Sequence, residues 1–557
     1  MKIMAAVASG LLVAGAFPPL DFTVLVWVGM LPLLAVLWSI EGKRAGLKGF
    51  GIAYLAGLVA CLIQFNWVAS VSWLGAILLP AYLAVYWGLF GIFAAKLGNP
   101  WKSGKPARIL TVAFSHGAVW AGCELLRGWV ITGISWNVLG TAFHDMPRMA
   151  QAADLFGVVG LSMVVVFFQA VVAQAVALKK CLPVAIAGAV IGLMALYGTV
   201  RIKMEKEGES IRLRTLLVQL NIPQDAAHML WSDVETHFAY EDETLKGLQS
   251  AKPFPDWVML PETSLTGHIL TTNDGERGQW PINRDTISQV RAAGRFQFIY
   301  GATEWEAEQV PDGLIEKTKG NAWNSLAVIS PDDDLQTYRK EHLVIFGETI
   351  PFIDSLPFLK KIYEEQSGAE FGGSFTAGDK LDPLPIAVGD KTVGAIPTVC
   401  FEDSVPRLMR KFIRPGPQVI INITNDGWFK QSAAAEQHFQ YARFRAIEFR
   451  RPMLRCANSG VSAAIDTTGS TAHPDTGKPQ VITDENGSHF TRGSLVTELK
   501  IPLHPSFSLY AVIGDWGIMV LSGLALLLAY VVPASAGFER KRRPAEAGTT
   551  YEEGHGL

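Results

Sequence analysis

Seven apolar stretches fill the first two hundred residues, and an eighth precedes the basic tail. They read near 3–18, 22–40, 50–70, 73–96, 109–127, 157–178, 182–200 and 509–533. A helix needs about 20 apolar residues to cross a hydrocarbon core of about 30 Å. Within that core only helices and closed barrels satisfy their own backbone groups. The stretches therefore predict a polytopic helical bundle of about eight spans. The first carries Lys2 and a short apolar run, as a signal peptide does. It leads through "FPPLDF" into the second span with no small-residue cleavage pattern, so a helical hairpin is predicted instead.

Charge separates the rest of the chain from this bundle. Charged residues are 18% of the 557, against roughly 25% in a soluble domain, and most lie beyond residue 200. The boundaries read as a bundle over 1–203, an α/β domain over 204–505, and a last span with a basic tail over 506–557. Lys43, Arg44 and Lys48 follow span two, Lys102, Lys105 and Arg108 span four, Lys179 and Lys180 span six, and Arg540 to Arg543 span eight. Basic short loops favour the cytoplasmic side. Both termini are then expected in the cytoplasm and the 204–505 segment on the opposite face, the periplasm in a bacterium. A net charge of −3 gives no footprint for nucleic acid. Five cysteines without a CxxC pair imply neither a disulfide framework nor a zinc site.

Within 204–505, short β-rich runs alternate with helical patterns at 232–249 and 433–450, as in a layered α/β domain. "TVGAIPTVC" reads as a buried strand and "SVPRLMRKFI" as the start of a helix, with Cys400 at the turn between them. Such an elbow can expose a thiol to helix amides that lower its pKa and hold an oxyanion. The other reading is a buried packing cysteine, at a strand end for Cys400, which also suits Cys61, Cys123 and Cys181 in or beside apolar spans and Cys456 inside a predicted strand. A thiol nucleophile needs a base, and no histidine pairing is evident, although His342 and His438 lie in interesting sequence. Glu262 ends "DWVMLPE", either as a loop carboxylate or as a group at the sheet edge. Lys340, in "YRKEHLVIFGE", is either a solvated lysine or a fixed positive charge beside the thiol.

"VQLNIP", "LPET", "YRKEHLVIFGE", "TVCFED" and "NITNDGWF", in this order, resemble the nitrilase superfamily. That resemblance implies an α-β-β-α sandwich with a Glu-Lys-Cys triad. The 78 residues from 262 to 340 and the 60 from 340 to 400 agree with it. With "AFPPLDF", "FNWVAS", "GISWNVLG" and the flanking spans, nearly the whole chain is similar to the apolipoprotein N-acyltransferases. By that resemblance Cys400 attacks the sn-1 ester of a phospholipid, phosphatidylethanolamine by preference. Glu262 is the base, and Lys340 with the Phe401 amide holds the oxyanion. The acyl chain then passes to the amine of a diacylglyceryl cysteine on an apolipoprotein. No metal or organic cofactor is implied.

Glu348 and Glu402 are expected to support the triad, or to form buried ion pairs. Trp231 is expected on a substrate-contacting arm, or as an aromatic covering core. Asn425, Asp426 and Trp428 are expected to shape the pocket wall. Phe401 departs from the Tyr common after the nucleophile. Glu124 and Arg127, close to hydrocarbon, are expected to pair and brace the bundle. The Gly-rich stretch 353–380 is expected to act as a lid. The competing readings are a membrane-anchored nitrilase or amidase on a soluble amide, and a transporter or receptor with a sensory domain.

Overall fold

The computed structural model describes residues 1–101, 109–225, 228–350, 358–367 and 373–541. Residues 353–357 and 368–372 of the stretch read as a lid, and the tail from 542, lie outside the described residues, while Phe358–Ser367 within that stretch is a helix.

Among the described residues, five helices are long and apolar enough to cross a membrane: Ala45–Gln64, Gly75–Leu97, Ile109–Arg127, Ala153–Leu178 and Leu182–Lys206. Shorter apolar helices occupy Lys2–Gly15, Thr23–Trp38 and Trp516–Ala529, where the remaining spans were read. Small residues set the close contacts. Gly49 and Gly91 face each other so tightly that a Cβ on either meets the other's carbonyl oxygen at 2.4 or 2.3 Å. A bundle that gains little from hydrophobicity in lipid packs by this kind of approach.

Helix Ala153–Leu178 breaks at Phe156 and Gly157, where Gly157 takes φ +70°. The amide freed at Val158 donates to Glu448 Oε1 of the α/β domain at 2.7 Å. Glu124 and Arg127 do not form the expected pair. Glu124 Oε1 accepts from Trp120 Nε1 and the Leu139 amide, each at 2.9 Å, and Arg127 Nη2 donates to the Trp136 carbonyl at 2.8 Å. Both fasten the irregular chain after the helix, because its unpaired backbone groups are the more demanding partners there.

The α/β domain is two sheets face to face. The larger runs Leu335–Arg339, Ala322–Ile329, Gln297–Val310, Trp257–Met259, Ser210–Gln219, Gly493–Pro502. The smaller runs Leu384–Val388, Lys391–Val399, Gln418–Thr424, Met453–Ala457, Ala463–Ile465. Strand periodicity divides the side chains between two cores. Leu217, Met259 and Ile299 point at Val399, Ile421 and Cys456 between the sheets. Val218, Val258, Leu260 and Phe298 point the other way, together with Tyr240 and Val290. These last two come from helices Asp233–Ser250 and Pro281–Arg291, which cover the outer face.

Helix Ala434–Phe449 covers the smaller sheet and faces two ways. Ala442, Ala446 and Phe449 join the core between the sheets, while Phe444 and Ile447 join the core of the bundle. The layers are therefore α-β-β-α, with the second helix layer pressed on the membrane helices.

Candidate active site

Three strand ends bring Glu262, Lys340 and Cys400 together. Glu262 follows strand Trp257–Met259, which lies parallel between two longer strands. Its loop folds back so that the Gly301 amide donates to the Pro261 carbonyl at 3.1 Å. A Cβ at Gly301 would stand 2.6 Å from the Glu262 Cα, so glycine there lets the loop close. Lys340 follows strand Leu335–Arg339, and its amide donates to the Asn324 carbonyl at 2.8 Å.

Cys400 follows strand Lys391–Val399 with φ +54°, an uncommon conformation for a side chain bearing a Cβ. Surrounding bonds hold it there. Asn422 Nδ2 donates to the Cys400 carbonyl at 3.1 Å, and the Val399 amide donates to Glu402 Oε2 at 2.8 Å. The helix expected to start in "SVPRLMRKFI" is preceded by a 3₁₀ turn, Cys400–Ser404, and is itself only the short helix Pro406–Met409.

Asn324 links the charged groups. Its Nδ2 donates to Glu262 Oε1 at 2.8 Å and to Glu348 Oε1 at 2.7 Å. Glu348 Oε2 pairs with Lys340 Nζ at 2.8 Å and accepts the Val344 amide at 2.9 Å. Both glutamates and the lysine are buried, whereas Cys400 is half-buried. Sequence reasoning missed Asn324. Its one signal is an amide side chain inside the apolar strand Ala322–Ile329, where a polar group needs a partner.

The electrostatics set the resting proton positions. Burial, then the neighbouring Glu262 charge, push the Cys400 thiol well above its usual range, and Lys340 only partly opposes them. The expected lowering by helix amides is absent because no long helix begins at the elbow. Burial raises Glu262 as well, against the pull of Lys340. Burial alone lowers Lys340, but the nearby carboxylates, Glu348 first, outweigh it and hold the ammonium charged. Glu262 Oε2 is buried with no other partner, and the Cys400 thiol lies within reach of that carboxyl group. The arrangement keeps a neutral thiol hydrogen-bonded beside the Glu262 carboxyl group, flanked by a fixed cation.

The neighbours divide by what they touch. Glu402 is fully buried and accepts Tyr338 Oη at 2.9 Å and the Glu341 and His342 amides at 2.8 and 2.9 Å. It ties the chain after Lys340 to the elbow, and burial lifts its carboxyl to about 7. Phe401 stacks on Trp136 of the bundle, 5.6 Å between centroids and 7° from parallel, with His342 6.2 Å away on a second contact. Asn425 caps the turn Asp426–Phe429 through its Oδ1 and receives Asn458 Nδ2 at 3.1 Å. Trp428 is half-buried in that turn. Trp231 packs with Met229 against the outer core.

Behind the elbow lies a buried cluster that was not foreseen. His438 bonds Asp403 and Asp426 at 2.8 Å each, and Arg455 pairs with the same two carboxylates at 2.8 and 2.9 Å. Burial and Arg455 oppose a charge on His438, but the two aspartates prevail and lift it to about 9.

Comparison with known proteins agrees with this architecture. The family model for the apolipoprotein N-acyltransferase N-terminal domain matches residues 9–171, and the one for carbon-nitrogen hydrolase matches residues 256–485. The apolipoprotein N-acyltransferase of Geobacter metallireducens is 29% identical over 83% of this chain and 85% of its own. That of Pasteurella multocida is 27% identical over 94% of each. That of Allorhizobium ampelinum is 31% identical over 84% of this chain and 86% of its own. Two domain matches in the right order, and an alignment spanning bundle and sandwich alike, place this chain in the apolipoprotein N-acyltransferase family.

Proposed function

We propose that the protein transfers an acyl chain from a membrane phospholipid to the N-terminal amine of S-diacylglyceryl apolipoproteins, through a thioester on Cys400. The observation that supports this reading is the position of the thiol: the residue after it stacks on Trp136 of the bundle, so the site is built against the membrane helices. Family membership supports the same substrates.

In this account Glu262 takes the thiol proton as Sγ attacks the sn-1 ester carbonyl. The developing oxyanion is held by Lys340 Nζ and the Phe401 amide. Collapse expels the lysophospholipid alkoxide, which takes the proton from Glu262. The apolipoprotein amine then attacks the thioester, Glu262 accepts its proton, and the thiol is restored. Phosphatidylethanolamine is the proposed donor. Trp231, Asn425 and Trp428 are proposed to line the substrate path, with Glu348 steadying Lys340.

The proposed topology has eight spans, with both termini cytoplasmic and the sandwich in the periplasm. It rests on the basic short loops and on the three shorter apolar helices at spans one, two and eight. A soluble amide substrate accounts less well for a site built against a bundle this large.

The test uses phosphatidylethanolamine carrying a labelled sn-1 chain. The label is expected on wild-type protein, released by neutral hydroxylamine, and absent from Cys400→Ser. Hydrolysis of soluble amides by an unlabelled wild-type protein would instead support the amidase reading.

A further inference from the structure

A second cleft lies where the sandwich meets the bundle, apart from the thiol. It has a volume of about 90 Å³ and is lined by Trp129, Arg407, Arg410, Tyr510, Asp515 and Trp516, among others. Its floor is the turn between helix Leu509–Ile513 and the last span.

Arg407 donates to the Gly128 and Thr132 carbonyls, the latter at 2.8 Å. Arg410 donates to the Ala511 and Val512 carbonyls, the former at 2.8 Å. A guanidinium has five N–H groups, so each keeps donors to spare. Among the described residues neither is ion-paired with a carboxylate. Asp515, the acidic group of the cleft, is held by Trp129 Nε1 and Tyr510 Oη, each at 2.8 Å. Gly514 takes φ +56°, and a Cβ there would stand 3.0 Å from Arg410 Nη1. The glycine thus lets that guanidinium lie flat on the turn.

The rim is apolar and open. Trp129 and Trp516 are 44% and 66% exposed, and Val130 and Ile131 beside them 43% and 72%. These residues sit at the sandwich end of two bundle helices, the depth at which tryptophans meet lipid headgroups. Two cations with free donors inside an aromatic rim at that depth match a phosphodiester whose acyl chains run down the bundle.

We propose that this cleft binds the phosphodiester headgroup of a membrane glycerophospholipid, with Arg407 and Arg410 on the phosphate and Trp129 and Trp516 against the glycerol. The assignment does not depend on the chemistry of Cys400.

The test is photo-cross-linking of full-length protein in nanodiscs with a phosphatidylethanolamine bearing a diazirine near its glycerol. Cross-links are expected on the peptides around 129–131 and 510–519. Excess unlabelled phosphatidylethanolamine should compete, and dioleoylglycerol, which lacks the phosphate, should not. Arg407→Gln with Arg410→Gln should reduce the yield roughly tenfold, and Trp516→Ala, an exposed position that spares the fold, about threefold. Competition by dioleoylglycerol equal to that by the phospholipid overturns the proposal, as does an unchanged yield in the Trp516 and paired arginine variants. Displacement by inorganic phosphate at matching concentration overturns the lipid assignment in favour of a free anion.

Discussion

Phe401, the residue after the thiol, lies flat against Trp136 of the bundle, 5.6 Å between ring centroids and 7° from parallel. The contact joins the elbow to the membrane helices. Phe401 belongs to one apolar cluster with Phe65, Trp67, Trp136 and Tyr441. A stacked pair contributes about 0.5–1.5 kcal/mol beyond its buried area. Phe401→Leu, which breaks the stack, is expected to lower kcat/KM roughly threefold to tenfold. Phe401→Tyr keeps the ring and is expected to change it less than about twofold. The apolipoprotein acylation assay checks both.

Burial and the Lys340 charge dominate the basicity of Glu262, and Asn324 adjusts it further. Its donation to Oε1 favours the carboxylate, against burial, which favours the acid. Catalysis needs the ionised form, so kcat/KM is expected to rise with pH as Glu262 loses its proton. Asn324→Ala removes the donor, raises Glu262 further, and moves that acid limb to higher pH. Activity of the variant should recover as pH rises, a pattern that a simple packing defect does not give. A pH–rate profile of wild type and variant decides it.

The cluster behind the elbow carries its own pH signature. His438 lies at about 9 in the fold, against 6.5 for an ordinary histidine. Its contribution to stability is therefore fully present below about 6.5 and is lost as pH rises through about 9. His438→Gln should flatten the wild-type loss of thermal stability over that window. The difference is of the order of a few kcal/mol. Thermal unfolding of both proteins across the window measures it.

Gln437 ties the sandwich to the bundle. Its Oε1 accepts from Trp67 Nε1 at 3.1 Å and Trp136 Nε1 at 2.9 Å. Its Nε2 donates to the Pro18 and Gln64 carbonyls at 3.0 and 3.2 Å. Gln437→Leu leaves buried groups of the bundle without partners, at about 1–3 kcal/mol for an unsatisfied group. Faster hydrogen exchange is expected at 65–70 and 134–138, with the strands of the sandwich unchanged.

Much of this was legible in sequence because the signals are local. The apolar runs were long, and "TVGAIPTVC" is a buried strand that ends at the Cys400 turn, as its sequence reads. The ordered motifs brought Glu262, Lys340 and Cys400 to one place. What escaped depends on distant partners. Asn324 is an ordinary strand amide until Glu262 and Glu348 reach it across 62 and 24 residues of chain. His438 looked unpaired because Asp403 reaches it from the elbow turn and Arg455 from a separate strand. Glu124 and Arg127 misled because spacing on one helix predicts a pair, while the loop they hold has backbone groups that need them more.

The central claim is that Cys400 carries the acyl chain. Intact-protein and peptide mass spectrometry after incubation with defined phosphatidylethanolamine, without apolipoprotein, tests it most directly. The account predicts one acyl mass on the peptide containing Cys400, sensitive to neutral hydroxylamine and lost when apolipoprotein is added. An acyl mass on another residue, or apolipoprotein acylation that persists in Cys400→Ala, would contradict it.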